Sequence, residues 1–261
     1  MPGSNVPPES ALRAIRRAQE KGNLLFLCTG RNYAMLKPLL QYHFDGLVGS
    51  SGGYVECGGQ IICDKPMADS QKDRAIALLE EHNIFYTIES RDGSYTDEGF
   101  KEFLRRSPGE GSNSEMLRWR EQIEESLHIL SMKEYKGESI YKIVTVSPAR
   151  EPVEAVKEAL GTAYHYCIQD SDSFGFTNGE LMRSDFDKGT GILNVCEYLG
   201  LPVEQTVAFG DSTNDLEMME TAALSICMGN GSPRLKEIAD DVCGTVEEDG
   251  LLSAFEKCHL A

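Results

Sequence analysis

An α/β fold split into two portions around an inserted α+β unit is predicted from three observations. At the start of the chain, short apolar runs that stop abruptly at polar turns alternate with helical patterns, the order of a parallel sheet covered by helices. From about Lys65 the texture changes to charged helical stretches and closely spaced β runs. From residue 184 the alternation resumes and continues to the end. Residues 1–64 and 184–261 are therefore expected to form one core, and residues 65–183 an insertion.

The elements follow in order. Glu9 to Lys21 reads as a helix, with Leu12, Ile15 and Ala18 at helical spacing and Gly22 as its stop. Leu24 to Cys28 is a continuous apolar run, the pattern of a strand buried on both faces, and ends in Thr29-Gly30-Arg31. A helix over Tyr33 to Gln41, a strand at Leu47 to Val48 and a hairpin over Tyr54 to Ile62, turning at Gly58-Gly59, come next. In the insertion, Ala68 to His82 is helical and Ile84 to Glu89 a strand. Asp97 to Leu127 is mostly helical, with a Ser/Pro/Gly/Asn-rich break near Ser107 to Ser114. A strand at Ile140 to Val146, a helix at Val153 to Leu160 and three β runs (Tyr164 to Ile168, Phe174 to Thr177, Leu181 to Arg183) complete it. The last portion reads helix Gly189 to Leu199, strand Thr206 to Phe209, helix Asn214 to Thr221, strand Ser225 to Met228, and helices Pro233 to Asp240 and Leu251 to Lys257.

Composition narrows the function. Of 261 residues, 41% are hydrophobic and 26% charged, which suits a globular protein with a substantial core. The net charge of −17 is spread along the chain with no Lys/Arg block, so neither nucleic acid nor an anionic membrane is an expected partner. No segment approaches the roughly 18 to 20 apolar residues of a membrane helix, and Met1 to Pro8 lacks the features of a signal peptide, so a cytoplasmic location is expected. The eight cysteines form no CxxC pair and read as small buried hydrophobes kept reduced.

Three places carry chemistry. A buried strand runs into Gly210-Asp211-Ser212-Thr213-Asn214-Asp215, placing two carboxylates and an amide where a helix begins. In open α/β sheets the ligand crevice lies at the carboxyl ends of strands, and magnesium takes one or two carboxylates plus waters and phosphate oxygens. Asp211 or Thr213 also suits a plain helix cap, and this turn alone leaves both readings open. Thr29-Gly30 offers a hydroxyl and backbone N–H groups for a phosphate at a helix start, or an ordinary helix start. Lys188, before Gly189-Thr190-Gly191, is placed to neutralise phosphate charge, or is a surface lysine.

Together, and in this order, these segments resemble the second, third and fourth motifs of the haloacid-dehalogenase-like superfamily. Its Cof-type branch is matched further by Ala18-Gln19-Glu20-Lys21-Gly22, by Tyr54 through Ile62, and by Ala239-Asp240-Asp241-Val242 with Glu248-Asp249-Gly250-Leu251. The resemblance implies a Rossmann-like core with a type C2 cap, and magnesium-dependent hydrolysis of a phosphomonoester through an aspartyl-phosphate, the substrate being a small phosphorylated metabolite with sugar phosphates as the family-level expectation. It places phosphate at Thr29, Gly30, Lys188 and Asn214, makes Lys188 and Thr29 the catalytic residues present, and puts the metal at Asp211 with Asp215. Ser51-Gly52 stands where the family often has Asn-Gly. Tyr86, Arg91, Tyr95, Trp119 and Arg120 are candidate cap contacts, each equally readable as packing or surface. The insertion between Ile62 and Lys188 argues against a phosphomutase, and no GxxxxGK[ST] run occurs.

The resemblance also implies a nucleophilic aspartate in an Asp-x-Asp-Gly-Thr run at the end of a first strand, and these 261 residues contain no such run. About ten to twelve residues, a strand and the motif, are expected upstream of Met1, by the usual length of a strand and turn. A late start, a truncation or a true loss would each leave the chain in this form. Asp185-Phe186-Asp187 lacks a preceding buried strand and Asp170-Ser171-Asp172 lacks the Gly-Thr, so neither is expected to substitute. The expectation is a chain with little activity of its own. A phosphate-ligand binding protein of the same fold is the alternative, and the genomic sequence upstream of Met1 separates the two.

Overall fold

The computed structural model describes residues 7–97, 99–100, 129–171 and 176–261. Helix α1 (Glu9–Glu20) buries Ala11, Ala14, Ile15 and Ala18, so Ile15 and Ala18 of the predicted stripe face the core while Leu12 is only half-buried and Ala11 and Ala14 take part instead. Strand β1 (Phe26–Cys28) leads through α2 (Tyr33–Leu36) and a 3-10 segment over Lys37–Tyr42 into β2 (Gly46–Gly49). The single helix expected over Tyr33 to Gln41 is thus broken. Pro38 has no N–H to offer the Ala34 carbonyl, which the Lys37 N–H takes in a tighter turn. Strands β3 (Tyr54–Cys57) and β4 (Gln60–Asp64) form the predicted hairpin; its turn residues Gly58 and Gly59 have φ of +56° and +78°, as a type I′ turn requires. The four strands make one sheet in the order β1-β2-β3-β4, with β1 and β2 parallel.

Helix α3 (Asp69–Glu81) introduces a six-stranded mixed sheet of β5 (Phe85–Ser90), β6 (Ser94–Thr96), β7 (Ile129–Ser131), β8 (Ile140–Ser147), β9 (Tyr164–Ser171) and β10 (Phe176–Arg183), ordered β7-β6-β5-β8-β10-β9. Helices α3 and α4 (Arg150–Leu160) cover this sheet through Ala75, Leu79, Val153, Val156 and Leu160, packed on Ile88, Ile143 and Leu181. The last two β runs read in the sequence are a single strand. Gly179 does not end it, because a side chain there would meet the Tyr166 ring at 2.5 Å and Thr145 Oγ1 at 2.8 Å. Most of the segment expected to be helical from Asp97 to Leu127 lies outside the described residues.

The chain then returns to alternation. Helix α5 (Lys188–Leu199), β11 (Val207–Gly210), α6 (Leu216–Thr221), β12 (Leu224–Cys227), α7 (Pro233–Ile238), β13 (Asp241–Val242) and α8 (Gly250–Lys257) build a parallel sheet ordered β11-β12-β13. No helix among the described residues is long and apolar enough to cross a membrane.

Both β1 and β11 lie at sheet edges. The Leu25 carbonyl accepts from the Asp45 N–H and the Thr29 N–H donates to the Val48 carbonyl, so the alternate groups of Phe26 and Cys28 turn away from β2. By the same alternation Val207 and Phe209 turn away from β12. Among the described residues no strand pairs with either side. Side chains nevertheless join the two edges: Leu25 and Phe209 pack on one cluster with Ala14, Leu252 and Phe255, and Cys28 packs on the cluster of Ala208. Phe26, Leu27 and Cys28 are consequently only half-buried and Leu24 is 47% exposed, where the apolar run predicts a strand buried on both faces.

Glycines set the position of α5. A side chain at Gly189 would meet Thr221 Oγ1 at 2.3 Å and the Glu217 carbonyl at 2.5 Å, and one at Gly191 would meet Val48 at 2.4 Å. The start of α5 is thereby wedged between α6 and β2. Gly189→Ala is expected to destabilise the protein by about 1–3 kcal/mol through overpacking, outweighing the about 1 kcal/mol that alanine gains in a helix. An unchanged urea midpoint would show that α6 moves aside freely.

Candidate active site

The residues singled out in the sequence meet at the carboxyl ends of β1 and β11. Thr29 follows β1 directly; its Oγ1 accepts from the Arg31 N–H at 3.2 Å, which leaves its O–H free to donate. The Thr29 carbonyl accepts from the Ser51 N–H at 3.0 Å, tying the turn to the segment after β2. Gly52, in the left-handed region at φ +102°, lies so close to Asp187 that a side chain would sit 2.1 Å from its carbonyl oxygen. Asp187 in turn caps α5, its Oδ1 accepting from the Thr190 N–H at 2.6 Å. That capping role is the structural account of one carboxylate in the Asp185-Phe186-Asp187 run; Asp185 pairs with Arg183 at 2.8 Å. Asp170 lies in β9, and Asp172 lies outside the described residues.

Lys188, the first residue of α5, is no surface lysine: it is 4% exposed. Its Nζ donates to Asp215 Oδ1 at 2.6 Å and to Asn214 Oδ1 at 2.9 Å. Since Oδ1 of Asn214 faces the lysine, its amide N–H groups point elsewhere and can serve a second acceptor. The other oxygen of Asp215 accepts from the backbone N–H groups of Asp211 and Ser212, both at 3.0 Å. Asp215 thus spends one oxygen on Lys188 and the other on holding the turn, while Asp211 stands exposed at the mouth of the strand. A single exposed carboxylate beside a cluster of phosphate-type donors fits magnesium, which completes its shell with water and phosphate oxygens. Among the described residues no three His, Cys, Asp or Glu side chains group to hold a metal by themselves.

Cys28 precedes Thr29 and feels the charges of Lys188, Asp215 and Asp187. Although the residue as a whole is only part-buried, desolvation pushes its thiol up to about 12, outweighing the opposing pull of Lys188. The thiol stays protonated at neutral pH and is a poor nucleophile. None of the eight cysteines is in a disulfide.

A second polar group, unread in the sequence, bounds the site from the six-stranded sheet. Lys142 of β8 is 3% exposed and its Nζ donates to the Gly30 carbonyl at 2.7 Å and to Glu180 Oε1 of β10 at 2.8 Å, with Glu89 Oε2 of β5 at 3.4 Å. The available signal was a charged residue amid the apolar runs of Ile140 to Val146 and Gly179 to Met182. Of the candidate cap contacts, Tyr86 is buried in the sheet's core with its O–H on Glu80, and Tyr95 packs edge-on against Tyr135. Arg91 stacks over the rings of Tyr33 and Tyr54 at 4.3 and 5.1 Å, joining the two sheets. Trp119 and Arg120 lie outside the described residues.

The strand ends thus bring together a lysine, an amide, a hydroxyl and an exposed carboxylate in one α/β crevice. A family model for haloacid dehalogenase-like hydrolases matches residues 2–255. The chain is 27% identical to the 5-amino-6-(5-phospho-D-ribitylamino)uracil phosphatase YwtE of Bacillus subtilis, over 91% of this chain and 87% of that one. It is 26% identical to a phosphoglycolate phosphatase of Methanobrevibacter smithii, over 96% and 90%. Among solved structures it is similar to the HAD subclass IIB sugar phosphatase BT4131, with a TM-score of 0.76 at 21% identity over 97% of this chain and 92% of that one. The chain belongs to the haloacid dehalogenase-like hydrolases, and is of that family's phosphatase type.

Proposed function

We propose that the chain is the phosphate- and magnesium-binding body of a phosphomonoester hydrolase, with residues 65–183 as a C2-type cap over a core of residues 1–64 and 184–261. The observation that carries this reading is the buried Lys188, held by Asp215 and Asn214 at the carboxyl end of β11. The Thr29 O–H, the Gly30 N–H and the Asn214 amide donate to phosphate oxygens, and Lys188 offsets their charge. Asp211 holds magnesium, with Asp215 bracing the turn that presents it. Bound there, the ion supplies positive charge against phosphate oxygens that the protein leaves uncompensated. The phosphorylated substrate is a small metabolite. The named relatives act on two kinds of leaving group, one rich in hydroxyls and one carrying a carboxylate.

Calorimetric titration with inorganic phosphate tests the site without requiring turnover. Phosphate binding by the wild type is expected to weaken on chelation of magnesium, and Asp211→Asn is expected to lose the magnesium-dependent increment while keeping the remainder. Phosphate affinity indifferent to both magnesium and Asp211 would refute the metal assignment.

A further inference from the structure

The turn after β1 is held from two sides. From the core, the Ser51 N–H donates to the Thr29 carbonyl at 3.0 Å and the Ser50 N–H to the Arg31 carbonyl at 2.9 Å. The carbonyl between them, that of Gly30, accepts instead from Lys142 Nζ of β8 at 2.7 Å. The residues that follow lean on the same six-stranded sheet. Asn32, which is fully buried, donates through Nδ2 to Ser94 Oγ of β6 at 3.1 Å, and the Ala34 N–H donates to the Arg91 carbonyl at 3.0 Å. The bond from Lys142 comes from an ammonium paired with Glu180 at 2.8 Å, and a charge-assisted hydrogen bond is roughly twice as strong as a neutral one.

The Gly30 carbonyl and the Arg31 N–H belong to one amide plane. Its oxygen accepts from Lys142, and its N–H donates to Thr29 Oγ1 at 3.2 Å. Because the peptide group is planar, holding the oxygen fixes the direction of the N–H. That N–H in turn selects one of the staggered positions open to the Thr29 hydroxyl, leaving its proton to point elsewhere. Resting on the reading of the phosphate site above, we infer that Lys142 is a positioning residue: through the Gly30–Arg31 peptide it sets the direction in which the Thr29 hydroxyl meets a phosphate oxygen, without touching the phosphate itself. Direction outweighs polarisation here, since hydrogen bonds in series strengthen one another by only about 10–30% each. A hydroxyl released over three staggered positions occupies the productive one about a third of the time, which weakens its ligand about threefold. The six-stranded sheet is thus part of the phosphate site as well as its neighbour.

A double-mutant cycle read by calorimetric titration of the 261-residue chain with inorganic phosphate in magnesium buffer tests this. Thr29→Val, which keeps the shape and removes the hydroxyl, is expected to weaken phosphate roughly tenfold or more, the worth of one hydrogen bond to a charged group. Lys142→Met/Glu180→Gln, which removes one charge of each sign from the buried group, is expected to weaken it about threefold. Added to Thr29→Val, the same pair of changes is expected to cost less than about twofold, because the hydroxyl they misdirect is gone. In arginine-labelled protein the Arg31 amide proton is expected to move upfield in Lys142→Met/Glu180→Gln, as its bond to Thr29 loosens. A loss of equal size with and without the Thr29 hydroxyl, or an unmoved Arg31 resonance, marks a merely structural role and overturns the inference while the phosphate site stands. Should the Lys142 variant not fold, hydrogen exchange on the wild type decides: a clamped Arg31 amide is protected, and one that exchanges as fast as an open turn overturns the inference. Failure of the wild type to bind phosphate at all would bring down the phosphate site and this inference with it.

Discussion

Lys188→Met is expected to abolish phosphate binding and to lower the unfolding free energy by about 3–5 kcal/mol, the usual cost of stranding a buried charge. The partner left behind is Asp215, 5% exposed, whose Oδ1 loses its ammonium while Oδ2 still holds the N–H groups of Asp211 and Ser212. Stability and function are separable here by a second change. In Lys188→Met/Asp215→Asn no charge is stranded and an oxygen remains to hold the turn, so most of the stability is expected to return while phosphate binding does not. Denaturant unfolding and phosphate calorimetry on the same two variants read the two quantities. A double variant that binds phosphate as the wild type does would remove Lys188 from the site.

The second large effect concerns turnover. The 261-residue polypeptide is expected to hydrolyse phosphomonoesters only at a trace. Extending it by roughly ten to twelve residues that carry a strand and an Asp-x-Asp-Gly-Thr run is expected to raise the rate at least about 10⁴-fold. In the proposed site the donors around Thr29, Lys188 and Asn214 would orient a phosphate, yet covalent transfer needs a carboxylate to attack, and the protonated Cys28 thiol does not replace it. The extension also has somewhere to go: the backbone groups of Phe26, Cys28, Val207 and Phe209 that turn from their own sheets each gain about 0.5–1.5 kcal/mol if paired. An extension with the attacking aspartate changed to asparagine separates the effects, and is expected to raise the melting temperature without restoring hydrolysis. Magnesium-dependent turnover by the unextended chain at the rate of the extended one would end this account.

What the sequence showed and hid follows from the range of the interactions. Thr29, Lys188 and Asp211 were legible because each stands at a strand end or helix start, a place marked by its immediate neighbours. The burial of Lys188 was not, since it depends on Asn214 and Asp215, 26 and 27 residues away. The Lys142 and Glu180 pair, 38 residues apart on adjacent strands, was hidden for the same reason, and its contact with Gly30 spans 112 residues. Local signals also misled. The runs ending at Thr177 and starting at Leu181 read as separate strands, although β10 pairs with β9 continuously through the residues between them. The strand at Asp241–Val242 is too short to leave a pattern.

The hydrogen bond from Lys142 to the Gly30 carbonyl bears on timing. Any motion that lifts the six-stranded sheet from the core must break that bond, hydrate Glu89 and Glu180, and slacken the phosphate turn in one event. Opening is then expected to be coupled to unloading, with the rewetting of a buried charge cluster as part of its cost.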